Sequence, residues 1–254
     1  TVCAKGIAAT ASVIDVDVNY VAGTVAAADT QAIVLEDATV EMDINQGGAA
    51  TGVRNVAVTS TGVASAVGFV GNDLVTGAVV QNLTIDGAGD LVINNAITAG
   101  TVDASEATGN LNLTVANTAA GNLATGVTAR SVTLGAGDDV LTALGNISVG
   151  SFVGGEGTDT LNATLLAGNQ APTLDSVENI FARAVGANTL NLANAEGVEQ
   201  VWNDRSQSNL TVINVQNSVT LGVQNVAAVD NAGNPTAQYI VTYDTNALES
   251  ETAN

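Results

Sequence analysis

Two glycine- and aspartate-rich segments near the middle of the chain have the composition of cation-binding turns. Residues 154–162 read GGEGTDTLN and match the calcium-binding nonapeptide G-G-x-G-x-D-x-U-x, where U is a large apolar residue, at every fixed position. Residues 134–142 read LGAGDDVLT and depart from it only at the first glycine. The aspartates Asp139 and Asp159 are 20 residues apart. Because turns on one edge of a β-roll with nine-residue half-coils recur about every 18 residues, we expect the two turns to stack on the same edge.

The residue types in these segments suit a calcium ion. Ca²⁺ takes six to eight oxygen ligands at about 2.3–2.6 Å. Glycines can adopt a positive φ and let backbone carbonyls converge, while acidic side chains add negative charge, with Asp138 and Glu156 in an auxiliary role. The predicted metal site consists of Gly135, Gly137, Asp138, Asp139, Gly155, Glu156, Gly157 and Asp159. The alternative is a pair of ordinary Gly-Asp turns that bind no metal.

The charge balance narrows the range of partners. The chain of 254 residues carries 25 Asp and Glu against five Lys and Arg, for a net charge of −20. Nucleic-acid binding depends on Lys and Arg at phosphates, so no nucleic-acid partner is expected. A compact body at this charge repels itself, and divalent cations would relieve the repulsion, although an acidic surface that needs no metal fits equally well. No apolar run is long enough to cross a bilayer, so no transmembrane segment is expected.

The composition also argues against catalysis. The chain has no histidine, which excludes His-dependent triads and His-ligated zinc sites. Lys5 is the only lysine, and aromatic residues make up 3% of the chain, so the aromatic side chains that usually line sugar grooves are scarce. Paired carboxylates can cleave glycosides, but any acidic chain offers such pairs. We therefore expect no enzymatic activity.

The alternation of apolar and polar residues predicts strands at both ends of the chain. Residues 13–20 and 32–44 alternate with the period of two that is typical of half-buried strands. We assign residues 1–50 to an N-terminal β module or cap. Residues 238–243 read QYIVTY and predict a strand within a C-terminal strand and tail at 229–254.

Short phrases recur through residues 51–228 and predict stacked coils. An apolar–polar–amide–apolar phrase starts at residues 53, 80, 177, 198 and 223, an Asn-Leu-Thr phrase at 82, 112 and 209, and a Ser-Val-Thr-Leu-Gly phrase at 131 and 218. Such repetition between Gly, Asn and Asp turns predicts an all-β fold, a parallel β-solenoid or β-roll with coils of roughly 20 residues. An antiparallel β-sandwich, which also has short strands at similar spacing, is the alternative.

Three further features have an ordinary structural explanation. Residues 86–90 read DGAGD and resemble a shortened calcium turn, but a plain Asp-Gly turn is favoured. The acidic corners at 174–178 and 195–199 are expected to be solvated. Trp202, the only tryptophan, is either a sugar-stacking platform or, as we favour, a cover over a coil end.

The nonapeptides and the text around them carry a family resemblance. GAGDDVL at 135–141 and GGEGTDTLN at 154–162 resemble the calcium-binding repeats of secreted RTX proteins. TVDASEATGNLNLTV at 101–115, LDSVENI at 174–180 and GVEQVW at 197–202 are similar to surface-layer (S-layer) proteins of Gram-negative bacteria that carry such repeats. The resemblance implies a calcium-stabilised β-solenoid, export by a type I system and lateral assembly into a lattice.

From this resemblance we expect a structural S-layer component that is secreted to the extracellular cell surface and binds Ca²⁺. Its partners would be further copies of the same chain and a cell-surface polysaccharide. The alternative is a segment of a secreted RTX-type adhesin that acts as a spacer or a binding module.

Overall fold

The computed structural model describes residues 1–7, 13–20, 26, 28–45, 53–69, 80–117, 130–148, 150–166, 168–226, 237–245 and 247. Within these residues the chain forms strands and no helix, which confirms the all-β prediction. Accordingly, no helix in this part of the chain is long and apolar enough to cross a membrane.

The first ten strands are short apart from β3. They are β1 (Val2–Ile7), β2 (Ile14–Asn19), β3 (Thr30–Asn45), β4 (Asn55–Thr61), β5 (Ala64–Phe69), β6 (Asn82–Gly87), β7 (Asp90–Ile93), β8 (Thr101–Ala107), β9 (Leu111–Asn117) and β10 (Arg130–Thr133). Buried and more exposed residues alternate along them, as in β4 and β6. The period of two read from the sequence is therefore the period of burial.

Strands of the C-terminal half follow the same pattern. They are β11 (Val140–Gly145), β12 (Gly150–Val153), β13 (Thr160–Leu165), β14 (Gly168–Gln170), β15 (Thr173–Asp175), β16 (Asn179–Ala184), β17 (Asn188–Asn191), β18 (Gln200–Asp204), β19 (Leu210–Val215), β20 (Thr220–Gln224) and β21 (Tyr239–Tyr243). β21 confirms the strand predicted at 238–243. Residues 230–235 read DNAGNP, a sequence that predicts a loop, and they lie outside the described residues.

The strands form three parallel stacks. The first sheet contains β1, β3, β4, β6, β8, β10, β12 and β15. The second contains β2, β3, β5, β7, β9, β11, β13, β16, β18 and β20. The third contains β14, β17, β19 and β21. Every pairing between described strands is parallel, so the antiparallel alternative is wrong for this part of the chain. The arrangement is consistent with a parallel β-solenoid.

The long strand β3 joins the first sheet to the second. Its N-terminal part pairs through Ile33 in the first sheet, and its C-terminal part pairs through Val40 in the second. Asp37, between the two parts, has a φ of +51°. β1 and β2 thus lie on the same stacks as the strands that follow.

The pairing registers give the number of residues per coil. Leu141 pairs with Leu161, Leu161 with Ile180, and Ile180 with Val201. These offsets of 20, 19 and 21 residues agree with the predicted coil of roughly 20. Val132, in contrast, pairs with Val102, 30 residues earlier. The pairings that connect β1 to β7 have offsets of 25–31 residues, so the coils at the N-terminal end are longer than predicted.

One apolar row runs through the second sheet from end to end. It comprises Ile14, Val40, Val67, Ile93, Leu113, Leu141, Leu161, Ile180, Val201 and Leu221, with Ile93 level with Leu113 because Leu91 pairs with Leu111. The eight inner members are 3% exposed or less. Full burial of such a side chain contributes about 1.5–3 kcal/mol, so this row is a main part of the core.

Candidate cation-binding turns

The two nonapeptide turns stack on one edge, as their spacing predicts. The first connects β10 to β11 and the second connects β12 to β13. The backbone N–H of Glu156 donates to the backbone carbonyl oxygen of Gly135 at 2.9 Å. The backbone N–H of Thr160 donates to the backbone carbonyl oxygen of Asp139 at 2.9 Å. One turn therefore lies directly on the other, one coil apart.

The four predicted glycines are required for two different reasons. Gly155 and Gly157 have φ angles of +107° and +116°, which other residues rarely adopt. Gly135 and Gly137 do not share this conformation. They are needed because a Cβ at either position would overlap a backbone carbonyl of the preceding coil. The glycines thus allow close stacking of the turns at all four positions, and unusual backbone angles at only two.

The two predicted aspartates have different surroundings. Asp139 accepts hydrogen bonds on both carboxylate oxygens, from the N–H of Leu111 at 2.7 Å and from the N–H of Gly135 at 3.2 Å. Asp159 accepts one on Oδ1, from the N–H of Asp139 at 2.9 Å. Its Oδ2 is buried without a hydrogen-bond partner. An unpaired buried carboxylate oxygen is costly, so Asp159 is the residue with ligand capacity to spare.

Glu178 also belongs to this site. Its sequence context predicted a solvated corner instead. Its Oε2 accepts a hydrogen bond from the N–H of Asp159 at 2.7 Å. Asp139, Asp159, Glu178 and Glu199 occupy level positions on four successive coils, immediately before the paired strands β11, β13, β16 and β18. We call these four residues the acidic column. The signal was present in the sequence, because each member lies 19–21 residues from the next.

A second column of side chains lies beside the first. The N–H of Asn110 donates to Asp90 Oδ1 at 2.8 Å, that of Asp138 to Asn110 Oδ1 at 2.8 Å, and that of Thr158 to Asp138 Oδ1 at 2.9 Å. Asp138 therefore connects neighbouring turns as well as adding charge. The side chain of Glu156 is exposed.

Burial makes the ionised form of the inner aspartates unfavourable. It raises the pKa of Asp159 to about 7, and the neighbouring charges of Asp139 and Glu178 act in the same direction, while the hydrogen bond from the Asp139 N–H opposes them. Burial also raises the pKa of Asp139, against the hydrogen bonds from Leu111 and Gly135. A bound proton or a bound cation would each relieve this cost at Asp159.

The donor set fits calcium better than a transition metal. Among the described residues, no group of three or more His, Cys, Asp or Glu side chains is placed to hold a metal ion. Calcium sites, however, also use backbone carbonyls beside carboxylates. A Cβ at residue 154 would lie 1.7 Å from the carbonyl oxygen of Ser176 and 2.5 Å from the unpartnered Oδ2 of Asp159, so only glycine fits at this position.

The remaining candidates have structural roles. The turn at 86–90 contains Gly87, with a φ of +103°, and contributes Asp90 to the second column. The Trp202 ring stacks on Phe181 with centroids 5.9 Å apart and planes at 17°. A Cβ at Gly222, which pairs with Trp202 on the next coil, would overlap the same ring. Trp202 thus packs between its neighbours on the two adjacent coils. This packing favours the interpretation of Trp202 as a structural cover and not as a sugar-stacking platform.

The sequence matches no protein-family model, and neither the curated proteins nor the solved structures contain a significant match.

Proposed function

We propose that this chain is a calcium-stabilised structural protein of the S-layer type, which is secreted and assembles with copies of itself on the bacterial cell surface. The observation that carries the proposal is the buried, unpartnered Oδ2 of Asp159 within a turn that matches the calcium nonapeptide. The parallel stacks would close into a β-solenoid, with the cation at one of its edges.

Calcium would act on the charge and on the stability of this edge. Asp159 would supply a carboxylate and the glycine-rich turns would supply carbonyl oxygens, while the rest of the acidic column lies close enough to be partly neutralised. A cation that binds only the folded chain stabilises it by mass action. The chemistry is structural and involves no reaction step.

The cell-surface assignment rests on the family resemblance together with the shape of the fold. Stacks of parallel strands give an elongated surface that can repeat along a lattice. The net charge of −20 would be compatible with a calcium-rich exterior and with bridging of neighbouring copies by the ion. A cell-surface polysaccharide is proposed as a further partner.

Thermal unfolding with calcium and with chelator tests the proposal. A hundredfold excess of calcium over its Kd stabilises a one-site protein by about 2.7 kcal/mol, or about 5–10 °C in Tm for a domain of this size. We expect Asp159→Asn to remove most of this rise. Asp103→Asn, which changes an exposed aspartate bonded only locally to Ser105, is the matched control and should keep it.

Electron microscopy of the same samples tests assembly. Ordered sheets or filaments that appear with calcium would support the S-layer proposal. A calcium-dependent rise in Tm without assembly would favour the adhesin spacer. An identical Tm in calcium and chelator would mean that the nonapeptides are turns without a metal, and the proposal would fail.

A further inference from the structure

The apolar row of the second sheet is open at both ends. Its terminal members, Ile14 on β2 and Leu221 on β20, are each 42% exposed, in contrast to the buried members between them. Val223, next in the inward-facing set of β20, is 57% exposed. These side chains continue the inward face of the sheet and are exposed because no further strand of the described residues covers them.

The two end strands also have open hydrogen-bonding edges. Among the described strands, β2 pairs only with β3 and β20 pairs only with β18. An open edge of this kind is a template for another strand. Because all pairings in the sheet are parallel, moving a copy along the stack keeps both the strand direction and the inward face.

We propose that β20 of one copy pairs in parallel with β2 of the next copy, so that the chains join head to tail and the apolar row continues from Leu221 to Ile14. This inference rests on the self-assembly in the proposed function and names its interface. The contact is heterologous and does not close on itself, so it generates a filament.

The side chains of the two strands are complementary in this register. With Leu221 level with Ile14, Val223 falls level with Val16, which is half-buried in its own chain. Gln224 falls level with Asp17, so that its amide can donate to the carboxylate. These pairs continue the register of β18 and β20 within one chain, in which Val201 pairs with Leu221.

The charges disfavour contact between two copies of the β2 end. β2 carries Asp15 and Asp17, whereas β20 has the sequence TLGVQ and no charge. Contact between two copies of β2 would bring four carboxylates together, which is unfavourable. Contact between β2 and β20 avoids this repulsion.

The first experiment measures assembly in calcium by sedimentation velocity and electron microscopy. The parent should form filaments, and Leu221→Asp/Val223→Asp should remain monomeric, as should Ile14→Asp/Val16→Asp. The control Val63→Asp/Leu166→Asp adds the same charge at residues that are 79% and 57% exposed, and should assemble like the parent. A mixture of the two end variants should form dimers and nothing longer, because each variant keeps one intact end.

A disulfide trap keeps the test decisive if an end variant folds poorly. In a Cys3→Ser background, Asp17→Cys with Gln224→Cys should give a ladder of linked oligomers on oxidation, and each single cysteine should give at most dimers. A monomeric parent, end variants that assemble like the control, or the absence of a ladder would overturn the proposal. The calcium-dependent rise in Tm is measured separately, so its loss would overturn the calcium site and leave this interface standing.

Discussion

Asp139 and Asp159 occupy the same place in two copies of one motif, but they do different work. Asp139 has both oxygens engaged by backbone N–H groups, whereas Asp159 has one oxygen engaged and one buried without a partner. A motif match alone therefore does not distinguish a carboxylate that holds two turns together from one that is available to a cation.

This difference predicts a dependence on pH in calcium-free protein. The pKa of Asp159 rises to about 7 on folding, from an ordinary value of 3.8. Its protonated form is favoured in the folded state, so the stabilisation is complete below about pH 4 and is lost as the pH rises through 7. Asp159→Asn should remove this loss, and the gap in unfolding free energy between variant and parent should widen from pH 4 to 8 in urea titrations. Parallel curves would contradict the assignment.

Glycine substitutions separate backbone conformation from close packing. Gly155 and Gly168 both have a positive φ, of +107° and +83°. A Cβ at Gly155 would overlap the Gly135 carbonyl, whereas one at Gly168 would meet nothing within 4 Å. We expect Gly168→Ala to cost about 1–2 kcal/mol and Gly155→Ala more than about 3 kcal/mol, measured by chemical denaturation. Equal costs would mean that the turns are not closely stacked.

Among the elements, the last coils of the second sheet depend on an aromatic cover. Trp202 packs between Phe181 and Gly222, and Gly222 lies on β20, where it has no side chain of its own to bury. The ring thus supplies the contact that the glycine lacks. An aromatic residue beside a strand glycine is a known way to stabilise a sheet near its edge.

Removing this ring should loosen the end of the stack. Trp202→Ala should destabilise the chain by about 2 kcal/mol, since it removes a half-buried aromatic side chain and its stacking on Phe181. Hydrogen exchange should increase in β20 more than in β11, because the lost contact is local. Trp202→Phe, which keeps a ring, is the control. A uniform increase across all strands would argue against a local cover.

An element is predicted well from the sequence when each of its residues is present for a single physical reason. The phrases at 53 and 80 stack in register, and Asn82 Nδ2 donates to Asn55 Oδ1 at 2.8 Å, as expected for amides in a ladder. The Asn-Leu-Thr phrases, however, lie on β6, β9 and β19, which belong to three different sheets. They recur because any half-buried strand favours such alternation, and so they do not mark equivalent coils.

Other features depend on contacts between distant residues and could not be read from the chain. Arg130 lies on the inward face of β10, where its guanidinium donates to the carbonyls of Ile97 at 2.9 Å and Ala116 at 2.7 Å. A charged residue would be expected outside, and burial lowers its pKa to about 10. Glu178 differs from Arg130, because its spacing of 19 residues from Asp159 was a signal in the sequence that the coil length makes readable.

At the scale of the whole molecule, the effect of screening the net charge of −20 must be distinguished from the effect of specific calcium binding. Raising NaCl from 0.15 to 1 M shortens the Debye length from about 8 to 3 Å and should raise the Tm of calcium-free protein by screening. Millimolar calcium should give a larger rise than millimolar magnesium, which binds more readily to rigid octahedral sites. The rise in Tm is measured by differential scanning fluorimetry. Equal rises with the two ions would mean that calcium acts by screening the net charge and not at a specific site.

The uniform parallel pairing also bears on how the molecule could change in length. Each described strand bonds only to strands one coil before and one coil after it, and a coil between β11 and β18 needs only about 20 residues. Duplication or deletion of one coil would leave the neighbouring registers intact while lengthening or shortening the stack by about 4.8 Å. Genetic recombination could therefore change the length of the stack in fixed steps of one coil, because the strand pairing on either side of the step stays the same.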